Sequence, residues 1–294
     1  MDCVFTAPMS SNTDPCLERT FRGHKNYISS VSFSSNNRQL ASGSGDNGIM
    51  LWNFKPQLRA FRFSAHTAAV CDVQFSPEGD LLASASKDKT VRLWIPSAKA
   101  DSVAIKGHTG PVRSVKFSND SNMLITASDD KLVKLWSLPS RKFLCALNGH
   151  SNWVRSACFD KTATLALSGG DDKVVKLWDV ESKTNIRTFH DHNDHVNHVT
   201  FHNSGQCIAS CSSDRSLKLW DLRSKQLIQH YAAHAEAVTS ISIHDSGHYM
   251  VSSSRDNTLR LWDIREGRLL FTLAGHEGGV NQATFSSDGN FFAS

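Results

Sequence analysis

The sequence predicts an all-β fold, a seven-bladed β-propeller, and three residue series that share one spacing predict it. Tryptophans stand at Trp52, Trp94, Trp136, Trp178, Trp220 and Trp262, each 42 residues after the one before. Turn aspartates keep the same step at Asp46, Asp88, Asp130, Asp172, Asp214 and Asp256, and histidines open the units at His24, His66, His108, His150, His192, His234 and His276. Self-similarity at such a period marks a unit that cannot bury its apolar face alone and stacks on copies of itself.

Taken in order, residues 1–16 are polar, aperiodic and contain two prolines, and read as a flexible N-terminal arm ahead of a propeller over 17–294. LERTFRGH, from Leu17, reads as an isolated outer strand. In each full unit an apolar run follows the histidine, as in VCDVQF from Val70; a turn such as SPEGD comes next, then a central strand, the Asp turn and the Trp strand. A polar loop leads to a fourth strand, as in FLCALNG from Phe143. The units fall near 17–58, 59–100, 101–142, 143–184, 185–226, 227–268 and 269–294. Antiparallel order puts the histidine loops and Asp turns on one face, the top, and the remaining turns on the bottom. Ser42, Ser84, Thr126, Ser168, Ser210 and Ser252 lie ten residues before their tryptophans, and the next step of 42 lands on Ser294, the last residue. The seventh blade is therefore expected to be incomplete, with residues 17–22 lacking a neighbour at an exposed edge, as in a fragment or truncated isoform.

Bulk composition narrows the function. A net charge of +4 over 294 residues, without a dense Lys/Arg block, argues against nucleic acid as a partner. Cys3, Cys16, Cys71, Cys145, Cys158, Cys207 and Cys211 are odd in number and form no CxxC pair, so reduced thiols packed as small apolar groups are expected. There is no signal-peptide pattern and no run of membrane-spanning length, which points to a soluble intracellular protein that does not engage membranes.

Each complete unit holds a His, a Ser or Thr, an Asp and a Trp, the residue types of a hydrolytic triad. The physics favours a structural tetrad: the indole donates, the hydroxyl relays, the imidazole bridges and the carboxylate anchors. Six full copies in one ring argue against a catalytic site, so no enzyme activity is expected. GSGDNG (43–48) matches a dinucleotide-binding pattern, but a strand and not a helix follows it, and no cofactor is expected. His190, His192, His195, His198 and His202 are the best metal candidates; strand alternation sends them to different sides, so convergence on one ion is not expected.

Departures from the repeat are where recognition is expected. Trp153 is the one tryptophan outside the series. With Arg113, Arg155, Lys87, Asp129 and Asp171 on adjacent blades, and Tyr27 and Arg255 at equivalent positions, it makes a top-face candidate with the aromatic and arginine content of a binding hot spot. The alternative is a polar rim with Trp153 folded onto its own blade. A second candidate lies on the outside and bottom, where the segments between each Trp and the next histidine carry a net +6. Lys55, Arg59, Arg62, Arg141 and Lys142 dominate that excess, suited to an acidic polymer or simply to solubility.

The repeats resemble the WD-repeat propeller. LWNFKPQLRAFRF from Leu51, LLASASKDKTVRLWIP from Leu81, HTGPVRSVKFS from His108 and NWVRSACF from Asn152 resemble, more narrowly, the proteome-of-centriole WD-repeat family. The resemblance implies a non-enzymatic protein of centrioles and basal bodies, within the cytoplasmic cytoskeleton. It implies support of centriole assembly and stability and of cilium formation through contacts with microtubule-wall or inner-scaffold proteins. Another use of such a fold is as a substrate receptor of a ubiquitin ligase or a histone-tail reader.

Overall fold

Alternation along each inner strand builds the blades: in Val112–Phe117, Val112, Val115 and Phe117 are buried in the sheet-to-sheet core, and Val70, Val73 and Phe75 repeat the pattern one blade earlier. The computed structural model describes residues 3–6, 15–55, 59–97, 101–224 and 226–294, and every helix or strand assigned among them is a strand. Six blades are complete, each a four-stranded antiparallel sheet from one contiguous stretch, within 28–63, 70–106, 112–147, 154–189, 196–232 and 238–274.

The ends of the chain depart from the sequence expectation. A seventh four-stranded sheet runs in the order Leu17–Phe21, Cys3–Thr6, Phe292–Ala293, Thr284–Phe285. Cys3–Thr6 takes the place of the missing Trp strand, pairing Phe5 with Ala293 on one side and Cys3 with Phe21 on the other. The expected open seventh blade and the unpartnered strand over 17–22 are thus corrected to six complete blades and one composite sheet. The expected flexible arm gives way to a strand at Cys3–Thr6, while 1–2 and 7–14 lie outside the described residues. The physical reason is the row of unpaired amides and carbonyls that an open edge presents, which a short β-prone run from the same chain can satisfy.

The core sits between neighbouring sheets. Ala83 and Leu93 of the second blade pack with Val112, Val115 and Trp136 of the third, and Trp94, Trp178 and Trp220 are among the largest side chains wholly out of water. An indole buries on the order of 200 Å², so at ~25 cal/mol per Å² each contributes up to about 5 kcal/mol. Polar clips lace the inner strands together. The Val73 amide donates to Ser30 Oγ at 2.9 Å, the Val115 amide to Asp72 Oδ2 at 3.1 Å, and the Val31 amide to Gln282 Oε1 at 2.8 Å, which ties the seventh sheet to the first blade.

One local feature aims the site. Every complete inner strand carries a β-bulge near its top, between Ile28 and Ser30, Val70 and Asp72, Val112 and Ser114, Val154 and Ser156, Val196 and His198, and Val238 and Ser240. The skipped residue has no cross-strand partner and turns toward the central mouth.

Candidate partner-binding face

The tetrads are assembled as hydrogen-bonded chains. His150 Nδ1 lies 2.7 Å from Asp172 Oδ2, its Nε2 lies 2.7 Å from Ser168 Oγ, and the Trp178 indole donates to that Oγ at 2.8 Å. The same bonds join His24, Ser42, Asp46 and Trp52; His66, Ser84, Asp88 and Trp94; His108, Thr126, Asp130 and Trp136; and His234, Ser252, Asp256 and Trp262. His276 Nε2 meets Ser294 Oγ at 2.7 Å. The fifth blade differs: His192 reaches Asp214 and Ser210, but the Trp220 indole donates to Asp191 Oδ2 at 3.0 Å. The sequence carried a signal for this, since Asp191 stands where Gly107 and Gly149 stand elsewhere.

Electrostatics fit a fixed relay. Burial opposes charge on the Asp130 carboxylate, yet bonds from His108, the Thr109 amide and the Leu132 amide outweigh it and hold the pKa at about 2. Asp46, Asp88, Asp172, Asp214 and Asp256 are lowered by the same balance. Burial keeps His24, His66 and His234 below their ordinary 6.5 although the aspartates pull the other way. The hydroxyls of Ser42, Ser84, Thr126, Ser168, Ser210 and Ser252 belong to residues with no exposure, so none is presented to a substrate.

The top-face candidates come together in part. Arg113 Nε and Nη2 donate to Asp129 Oδ1 and Oδ2, both at 2.8 Å, a forked pair that raises the arginine's pKa first through those bonds. In the fourth blade Arg155 forks onto Asp171, and His195 Nδ1 of the fifth blade lies 3.1 Å from the Asp171 carbonyl. Trp153 is 44% exposed, with the Arg113 Cζ 5.8 Å from its ring centroid across the blade boundary. Three blades are thus linked along the rim. Tyr27 lies apart, its ring seated on Gly45, where a Cβ would come within 2.5 Å of it. Lys87 and Arg255 are exposed and have no side-chain ion pair or hydrogen bond among the described residues. Tyr27, Lys87, Arg113, Arg155 and Arg255 line a central mouth of about 830 Å³.

The basic outer candidates come from two blades that are not neighbours. Lys55, Arg59 and Arg62 belong to the first blade and Arg141 and Lys142 to the third, and Arg62 is engaged with Asp46 at 3.4 Å. The candidate histidines scatter: His192 is in its tetrad, His195 on the rim, His202 between Ser204 Oγ and the Gly247 carbonyl, and His198 inside the channel. The GSGDNG stretch joins strand Gln39–Ser44 to strand Ile49–Asn53, with Asn47 at φ 64° in the turn.

Sequence reasoning passed over Asp72. Buried in the channel, it accepts from Ser30 Oγ at 2.8 Å and Ser114 Oγ at 3.1 Å and pairs with Lys116 Nζ at 3.2 Å, so it binds the blades on both sides of its own. The signal was a carboxylate where four other blades carry serine: Ser30, Ser114, Ser156 and Ser240.

Comparison with known proteins adds family and kin. Residues 15–53, 57–94, 101–137, 141–179, 183–221, 225–263 and 267–294 match the family described as WD domain, G-beta repeat. POC1 centriolar protein homolog A of Xenopus tropicalis is 56% identical over 50 residues, 17% of this chain and 11% of that protein. POC1 centriolar protein homolog B of Danio rerio is 58% identical over 50 residues, 17% of this chain and 10% of that protein, and homolog A of Bos taurus is 57% identical over 49 residues, 17% and 12%. The matched stretch spans about a tenth of these relatives' length. With seven matches running through the chain, over the stretches that build its four-stranded sheets, the protein belongs to the WD-repeat family of β-propellers.

Proposed function

We propose that this chain is a non-enzymatic scaffold of centrioles and basal bodies that supports their assembly and stability, and cilium formation, through protein contacts on the top face of its propeller. The observation that carries the reading is the rim chain of Trp153, Arg113, Asp129, Arg155 and Asp171, an exposed aromatic with its arginine held in place before any partner arrives. Fixed side chains lose little freedom on binding, which favours affinity. The names of the similar proteins, centriolar protein homologs, support that location. Repetition of the relay in blade after blade, with the hydroxyls out of reach, supports an architectural and not a catalytic role for the tetrads. A reader of methylated tails needs an aromatic cage, and of the two top-face aromatics only Tyr27 lines the mouth.

The test is to image the tagged chain against a centriole marker with and without Trp153→Ala. Co-localisation that the substitution abolishes, with the melting temperature unchanged, supports the reading. Diffuse or nuclear wild-type signal, or co-purification with ubiquitin-ligase subunits instead of centriolar proteins, sinks it.

A further inference from the structure

The residue five after the blade histidine has a recurring job at the top of the ring: at four of the seven boundaries its side chain donates to the carbonyl that opens the next inner strand. Ser29 Oγ bonds the Val70 carbonyl at 2.7 Å, Asn197 Nδ2 the Val238 carbonyl at 2.7 Å, Thr239 Oγ1 the Val280 carbonyl at 2.6 Å and Asn281 Nδ2 the Ile28 carbonyl at 2.6 Å. Four blade boundaries are clipped this way. At the three consecutive boundaries that remain the position holds Cys71, Arg113 and Arg155, and among the described residues none of them bonds the neighbouring carbonyl. Both arginines turn instead to the aspartate of their own blade.

That exchange changes what the mouth presents. In each pair the carboxylate side chain is the inner member, 8% exposed for Asp129 and 6% for Asp171, while the guanidinium is the outer one at 28% and 32%. A fork onto one carboxylate occupies Nε–H and one Nη2–H, so three N–H donors of each arginine remain for another acceptor. Lys87 on the second blade and Arg255 on the sixth add two cations with no acidic partner among the described residues, on opposite sides of the ring. Among the described residues the one acidic group in the lining is Asp194 on the fifth blade, 3.5 Å from His195 Nε2.

We propose that this mouth is a carboxylate-binding site for an extended acidic segment of a partner protein, which crosses from the second to the fourth blade and on to the sixth. The proposal rests on the reading of the top face as the partner-binding face and names its ligand. A single small anion cannot bridge cations on opposite sides of a mouth of 830 Å³; a chain with several carboxylates can, taking bidentate bonds from the arginines' outer edges. Trp153 lies at the rim beside Arg113, a flat apolar shelf along the segment's path. Asp194 repels the segment from the fifth blade and so sets its path.

The experiment uses the whole chain and a fluorescein-labelled dodecapeptide rich in glutamate, with its Gln counterpart, read by fluorescence anisotropy at low and physiological salt. Lys87→Glu with Arg255→Glu alters two exposed residues outside the ring's bonding. It should weaken Glu-peptide binding at least tenfold at an unchanged melting temperature, whereas Arg141→Glu with Lys142→Glu on the outer surface should not. Binding of the Gln peptide as tightly as the Glu peptide, equal losses in the two double variants, or no saturable binding would overturn the proposal. If the Glu peptide fails while Trp153→Ala still disperses the protein from centrioles, the carboxylate site falls and the top-face reading stands.

Discussion

Ser168→Ala and Ser210→Ala remove the same single atom from the same place in neighbouring blades, yet they should not cost the same. Ser168 Oγ serves two buried groups, accepting the Trp178 indole at 2.8 Å and lying 2.7 Å from His150 Nε2. Ser210 Oγ serves one, 2.6 Å from His192 Nε2, because Trp220 is satisfied by Asp191. A buried polar group left without its partner costs about 1–3 kcal/mol. The blade-four change therefore costs about 2–6 kcal/mol and the blade-five change about 1–3 kcal/mol, a gap on the order of one orphaned group. Loss of dispersion around the missing oxygen is alike in both, since each serine has no exposure. Urea unfolding followed by tryptophan fluorescence reads the gap, provided the denaturant slopes agree, because a changed slope reports a changed unfolded or native state. Asp191→Gly in the Ser210→Ala background offers a second check, since it orphans the Trp220 indole and should bring the fifth blade down to the fourth. Equal midpoints for Ser168→Ala and Ser210→Ala would refute the account of the tetrads as independent, countable bonds.

Three further outcomes follow from the same geometry. Below pH 6.5 stability should fall, because His24, His66 and His234, kept below 6.5 by burial, and His198, pushed down by burial and then by Lys116 to about 4, take up protons more readily in the unfolded chain. Their contribution is complete above 6.5 and is lost as the pH drops through the folded values; a second loss begins below 3.8 as the lowered aspartates protonate, so a urea midpoint that stays constant from pH 8 to pH 4.5 contradicts the assignment. Gly45→Ala should drive the Tyr27 ring off its seat and cost about 1–3 kcal/mol by overpacking, visible in the melting temperature and in tyrosine accessibility; no change in either would show that the ring does not rest there. Trp153→Ala should cost under about 1 kcal/mol, since an exposed cation–π contact is worth about 0.5–1 kcal/mol, and a loss of several kcal/mol would mean that Trp153 is a core residue.

The 42-residue step made the blades legible because every unit obeys one pattern, so Trp94 and Asp88 could each be read from five other copies and His66 from six. What the pattern could not carry was anything decided between distant parts of the chain. Cys3–Thr6 shares no period with the repeats, and its pairing to Phe292–Ala293 depends on an open edge that exists only once the ring has formed. Strict alternation would send Arg113 and Ser114 to opposite sides of the sheet. The bulge between Val112 and Ser114 breaks that rule, and a bulge has no one-letter signature here because its residues are valine, arginine and serine. Trp153 was visible as a departure from the repeat, but its contact with Arg113 required the spacing of adjacent blades.

The departures also balance across tiers. Where the top clip is given up at Cys71 and Arg155, bonds deeper in the inner strands still hold the boundary. Asp72 takes Ser114 Oγ and the Val115 amide, Gln74 Oε1 accepts the Phe117 amide at 2.7 Å, and Ser156 Oγ accepts the Val199 amide at 3.3 Å. Between the third and fourth blades the Arg113 guanidinium against Trp153 supplies the contact at the rim. A ring needs each neighbour held, but not at every height, because stability in stacked repeats sums over the interfaces as wholes. Deeper bonds also lace the boundaries that keep their top clip, such as the Val73 amide to Ser30 Oγ and the Ala283 amide to Ser240 Oγ, so the clip is one tie among several and can be given up at three adjacent blades; it is there that the chain places Arg113 and Arg155 and, at the rim, its one non-repeat tryptophan.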